Sequence, residues 1–276
     1  MAANFFHSAF CDPRSVLKMD TPTTTKIAKK HLLFLPYWAV FQTDLRQIMR
    51  NWVYRVWVLA SLLAASGYLL YRMGVHREAG LIQHASVVMS DLLRWMVLGS
   101  VALITAISVG SIAAERGTLA DSVLSRGISR YQYFLAKWHA RLFAVIGTFF
   151  VTGVLLELGS YFVLHENLSL RGSIMALAVI SMLFTVVVTA GVTLSAYIHS
   201  PIVGMSVLWL VLYGAGVLME LLPKKYPTPD RILCQLPTIL IGDFETSAMN
   251  ELFLVTMVLS VVVGAVGLIG FGRRDV

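Results

Sequence analysis

The chain has 276 residues, 57% of them apolar and 13% charged, with a net charge of +7 and a positive mean hydropathy. This balance excludes a water-soluble globule. The positive charge needs no nucleic acid to explain it, because an anionic inner leaflet is the ordinary partner of juxtamembrane cations.

Residues 1–30 show no hydrophobic periodicity and read as a loosely ordered stretch. We therefore divide the chain into an N-terminal segment, 1–35, and a single membrane domain, 36–276. Lys29 and Lys30 precede the apolar run LLFLPYWAVF, as they would in a secretory signal, but Pro36 interrupts the run, polar QTDLRQ follows and no pair of small residues offers a cleavage site. From Tyr37 to Trp52 the apolar positions Trp38, Phe41, Leu45, Ile48 and Trp52 recur every three to four residues. Gln42, Asp44, Arg46, Gln47 and Arg50 fall between them, as in an amphipathic helix lying in the membrane interface, with Pro36 in its first turn. This helix either anchors the first span or forms an elbow that touches a cytoplasmic partner.

A hydrocarbon core about 30 Å thick needs about 20 apolar residues per helix. Six stretches satisfy this: Trp52 to Tyr71, Trp95 to Ala114, Leu142 to Leu164, Ser173 to Ile198, Ile202 to Leu222, and Leu252 to Phe271. None alternates in polarity as a barrel strand does, so the predicted class is an all-α membrane protein with six transmembrane helices. Small residues dot the second span (Gly99, Ser100, Thr105, Ser108, Gly110, Ser111) and the sixth (Ser260, Gly264, Gly267), which implies closely packed helices.

Between the second and third spans lies ERGTLADSVLSRGISRYQYFLAKWHAR, residues 115–141. Thr118 with Asp121, and Ser129 with Gln132, have the spacing of helix-starting capping boxes. Gly127 can end the first helix in a left-handed conformation. The expected unit is a short helix from Leu119 to Ser125, a turn through Arg126 and Gly127, and a second helix that starts at Arg130 and runs through Lys137 into the third span. Arg126, Arg130 and Lys137 also satisfy the positive-inside rule. That rule alone leaves the separate short helix unexplained.

Glu157 is the one acid well inside a span, with Gly153 and Tyr161 one turn to either side. Intramembrane carboxylates are costly and often functional, and Glu157 reads equally as a functional group or as a hydrogen-bonded structural one near the outer end. In the fourth span Ser181, Thr185, Thr189 and Thr193 repeat every four residues and share a helix face, which either packs against another helix or lines a solute path. Between Pro223 and Asn250 the segment RILCQLPTILIGDF carries short apolar patches broken by Pro237 and Gly242.

With the N-terminus inside, fifteen of the 22 lysines and arginines are cytoplasmic; only Arg72, Arg77, Arg94, Arg171, Lys224, Lys225 and Arg231 lie outside. Both termini are thus expected in the cytoplasm. Cys11 and Cys234 then lie on opposite sides and cannot pair. The seven histidines are scattered and offer no mid-span pair for a haem. No G-x-x-x-x-G-K-[ST], H-E-x-x-H or G-x-S-x-G motif occurs, so no metal, cofactor or catalytic residue is assigned to this chain.

Glu115, Gly117-Thr118-Leu119, Val123-Leu124-Ser125, Ile128-Ser129-Arg130 and Lys137, directly after a second span, resemble the cytoplasmic coupling-helix region of type-2 ABC exporter permeases. The similarity is to small bacterial subunits such as the nitrous-oxide-reductase maturation and gliding-associated permeases. Phe271-Gly272-Arg273-Arg274-Asp275-Val276 is similar to the family's ending, and the resemblance extends over about residues 35–276. It implies a half-transporter in the bacterial inner membrane, two copies of which pair around a translocation path and work by alternating access. It also implies that each copy docks a separate ATP-binding subunit, which carries the ATP and Mg, through Glu115, Gly117, Thr118, Leu119, Val123, Leu124, Arg126, Ser129 and Arg130. The segment before the sixth span then resembles the family's partly membrane-dipping outer elements. The competing expectation is a membrane-anchor subunit of a redox complex, which paired mid-span histidines would favour.

Overall fold

The computed structural model describes residues 35–79, 84–113, 128–164, 168–221 and 228–273. Their regular structure is helical throughout: α1 (Leu35–Arg50), α2 (Trp52–Ala79), α3 (Ala85–Ala113), α4 (Arg130–Leu164), α5 (Leu170–Tyr197), α6 (Pro201–Glu220), α7 (Pro229–Ile241) and α8 (Thr246–Arg273). Six of these, all but α1 and α7, are long and apolar enough to cross a membrane.

Several helices overrun the spans expected from hydropathy. The second begins at Ala85, the third at Arg130 and the sixth at Thr246, because polar turns at helix ends keep their backbone hydrogen bonds outside the apolar run. The helix starts use local chemistry. Asn51 alone joins α1 to α2, and its Oδ1 accepts the Val53 N–H at 3.0 Å while Arg55 Nε donates to the Met49 carbonyl at 3.0 Å. Ser129 and Gln132 form the expected reciprocal box: Gln132 N–H donates to Ser129 Oγ at 3.2 Å, and Ser129 N–H to Gln132 Oε1 at 3.3 Å.

Pro237 does not break its segment. It sits inside α7, which starts at Thr228 with Pro229 in its first turn and stops at Gly242, whose φ of 94° requires glycine. The amphipathic pattern of Ile232, Leu236, Ile239 and Leu240, all buried, holds the helix together across the proline.

The core is centred on α5, with 56% of its apolar window buried, against 11% for α6. Close approach explains this. Gly264 and Gly267 of α8 face Thr189 and Thr193 of α5; a methyl at Gly267 would lie 2.6 Å from Thr193 Oγ1 and 2.9 Å from Phe134 Cζ. Thr193 Oγ1 donates to the Val263 carbonyl at 3.1 Å and Tyr197 OH to that of Val266 at 2.8 Å, so hydroxyls reach the backbone that the glycines leave bare.

Candidate functional site

The 114–127 segment lies outside the described residues, and with it Glu115, Gly117, Thr118, Leu119, Val123, Leu124 and Arg126. Its stems are described: α3 ends at Ala113 and α4 starts at Arg130, just after the Ser129 cap.

The two stems are tied to each other and to α1 by a buried charge cluster. Asp44 of α1 and Lys137 and Arg141 of α4 are 4%, 2% and 6% exposed. Lys137 and Arg141 stand one turn apart on the same face of α4, so both reach one carboxylate. Lys137 Nζ lies 3.1 Å from Asp44 Oδ1, and the Arg141 guanidinium pairs with Asp44 Oδ2. The two cations also close the last turns of α3: Lys137 donates to the Ser111 carbonyl at 3.1 Å and Arg141 Nε to that of Ile107 at 3.3 Å. Positive groups toward the C-terminal end of a helix complement its dipole. From α5, the Ser195 hydroxyl accepts the N–H groups of Ile112 and Ala113 at 2.8 and 2.9 Å. Four helices thus meet at the base of the loop.

This corrects one expectation and adds to another. Asp44 belongs to the buried side of α1, not to its solvated polar face, while Lys137 lies in the helix that starts at Arg130 and runs into the third span, and both it and Arg141 are buried there. The sequence does carry a signal for the first, since Asp44 sits at helical spacing between Phe41 and Ile48, within the apolar stripe. Burying one carboxylate with two cations is tolerable only because every charge has partners.

The other candidates lie elsewhere. Thr189 and Thr193 pack in the α5–α8 contact, and Thr189 Oγ1 accepts from Trp138 Nε1 at 3.0 Å. Thr185 is half-buried and donates back to the Ser181 carbonyl at 2.8 Å, while the Ser181 hydroxyl is buried without a partner. Glu157 is at the opposite end of the bundle, where α4 and α5 run antiparallel and Gly153 touches Leu177. Its carboxyl is hydrogen-bonded by Ser173 in the first turn of α5, and its Oε1 is buried without a partner. At this same end Ser169, the N-cap of α5, donates its N–H to the Leu240 carbonyl of α7 at 3.0 Å, and a methyl at Gly172 would strike the α7 backbone.

Among the described residues no three His, Cys, Asp or Glu side chains come together as a metal site. No protein-family model and no curated protein matches the sequence.

Proposed function

We propose that this chain is the permease subunit of an ATP-binding-cassette exporter of the type-2 kind, working as a pair of identical copies, each carrying a separate ATPase. The reading rests on the resemblance of residues 115–137 to a coupling-helix region and on one structural observation: both stems of that loop are bound to α1 through Asp44, Lys137 and Arg141. A loop that merely connects two spans needs no such buried junction.

In this mechanism ATP and Mg bind the partner, and closure of the ATPase dimer pushes on the loop helix. Displacement then passes through Lys137 and Arg141 to the end of α3 and to α1, and on to α2 across Asn51, rocking the spans between inward- and outward-open states. Leu119, Val123 and Leu124 supply the apolar contact in an ATPase groove, with Arg126 and Arg130 at its rim. Each aliphatic side chain buried there is worth about 1.5–3 kcal/mol before ordering costs. In the same reading α1 is the interfacial elbow, the loop helix and both termini are cytoplasmic, and Glu157 with α7 lies at the outer end.

Two experiments test this. An ATP-binding-cassette protein is expected to be encoded beside this chain; Val123 and Leu124 replaced together by Asp should release it from the co-expressed pair during purification, while the permease remains monodisperse, and equal recovery with wild type contradicts docking through the loop. In intact cells an impermeant thiol reagent should label the exposed Cys234 of α7 and spare Cys11. The reverse pattern overturns the orientation.

A further inference from the structure

Helix α1 has one acidic residue, Asp44, and the bundle consumes it. The outward arc of the helix therefore carries cations without an internal counter-charge. Arg46 and Arg50 are exposed one turn apart, and among the described residues neither has an acidic partner. Together with Thr43, Gln47 and Asn51 they line an open groove of about 590 Å³. The side chains of Arg46, Gln47, Arg50 and Asn51 can each donate a hydrogen bond, while the Thr43 hydroxyl donates to the Ala39 carbonyl, and paired guanidiniums match the oxygens of a phosphate diester.

Beside the cations the exposed arc also carries large apolar side chains, with the polar Gln42 among them. On a helical projection Trp38 and Met49 stand beside Arg46, on the side away from Gln47, and both are exposed; Trp52, at the start of α2, is 72% exposed. A soluble acidic protein would match the cations and leave these side chains in water. A phospholipid matches both, placing its phosphate against arginine and its acyl region against the aromatic side chains that favour the membrane interface. The groove is also held rigidly, because the Asp44 contacts fix the rotation of α1 about its axis.

We propose that the Arg46–Arg50 groove of α1 is a binding site for the phosphate-bearing headgroup of an anionic phospholipid, with Trp38 and Met49 against its acyl region. The site does not depend on the permease reading. A single basic residue near an anionic surface is worth about a fivefold gain in binding, so losing both arginines should weaken retention on the order of thirtyfold.

The test is native mass spectrometry of the full chain titrated separately with phosphatidylglycerol, phosphatidylcholine and inorganic phosphate. Wild type should hold phosphatidylglycerol in preference to phosphatidylcholine. R46Q/R50Q should lose that preference, and R46K/R50K should keep part of it. Both arginine positions are exposed, so a monodisperse profile is expected for each variant; if R46Q/R50Q fails to fold, the lysine variant and the lipid preference of the wild type decide. Displacement of phosphatidylglycerol by inorganic phosphate at equal concentration would show a free-anion site and overturn the proposal. Equal lipid retention by wild type and R46Q/R50Q would overturn it, as would loss of a bound protein from the double variant with lipid unchanged, which would make the arc a protein-docking surface.

Discussion

The two ends of the bundle treat buried charge differently. At the loop end a carboxylate and two cations are almost wholly enclosed, and each is bound to another charge or to a backbone carbonyl. At the other end Glu157 is only partly buried, holds Ser173 and keeps one oxygen without a partner. A saturated cluster resists rearrangement, because each contact it loses strands a charge. An unsaturated carboxyl loses little when its charge is removed. The loop end is therefore built as a rigid joint and the Glu157 end as a place where a polar group can be exchanged.

The largest effect should follow from breaking the joint at its shared member. Asp44→Leu removes the carboxylate that Lys137 and Arg141 share, a loss of about 3–5 kcal/mol, and should lower the melting temperature in detergent on the order of 10 °C. The triple replacement Asp44→Leu, Lys137→Met and Arg141→Met should recover most of it, since an apolar cluster of similar volume stands in well for a buried ionic one. A wild-type melting temperature for Asp44→Leu would show that the cluster contributes nothing to stability.

Smaller effects sharpen the contrast through packing. Gly267→Leu drives a side chain into Thr193 and Phe134 and should cost about 1–3 kcal/mol, whereas Gly214→Leu, with nothing within 4 Å of its added carbon, should melt as wild type does. Thr185→Leu, at a half-buried position, should fall between them. Equal melting for Gly267→Leu and Gly214→Leu would remove the close α5–α8 contact from the account.

The smallest effect is expected at the open end. Glu157→Gln keeps shape and the link to Ser173, and should change stability by no more than about 0.5 kcal/mol. A loss comparable to that of Asp44→Leu would erase the distinction between the two ends.

Much of this architecture is legible in the sequence. The six apolar runs announce themselves because about 20 predominantly apolar residues in succession have few other uses, and the Ser129–Gln132 cap is readable because capping is local chemistry. The hydroxyl repeat of α5 shows a shared face but not its neighbour; that requires the glycines of α8, which lie far along the chain. Asp44 is harder still. Its spacing admits a polar face until Lys137 and Arg141 are brought beside it, and those two satisfy a charge rule that accounts for them without any contact. Pro237 misleads for the opposite reason, since tertiary packing of Ile232, Leu236 and Ile239 overrides a local breaker.

The claim that this chain transmits the work of a separate ATPase is tested most directly by hydrolysis itself. This chain and the ATP-binding-cassette protein proposed as its partner should be reconstituted together in vesicles, and ATP turnover compared with that of the ATPase alone. The account predicts that the wild-type chain changes turnover, and that the variant with Asp at positions 123 and 124 leaves it at the level of the isolated ATPase. Identical turnover with wild type, with the variant and with the ATPase alone would contradict it.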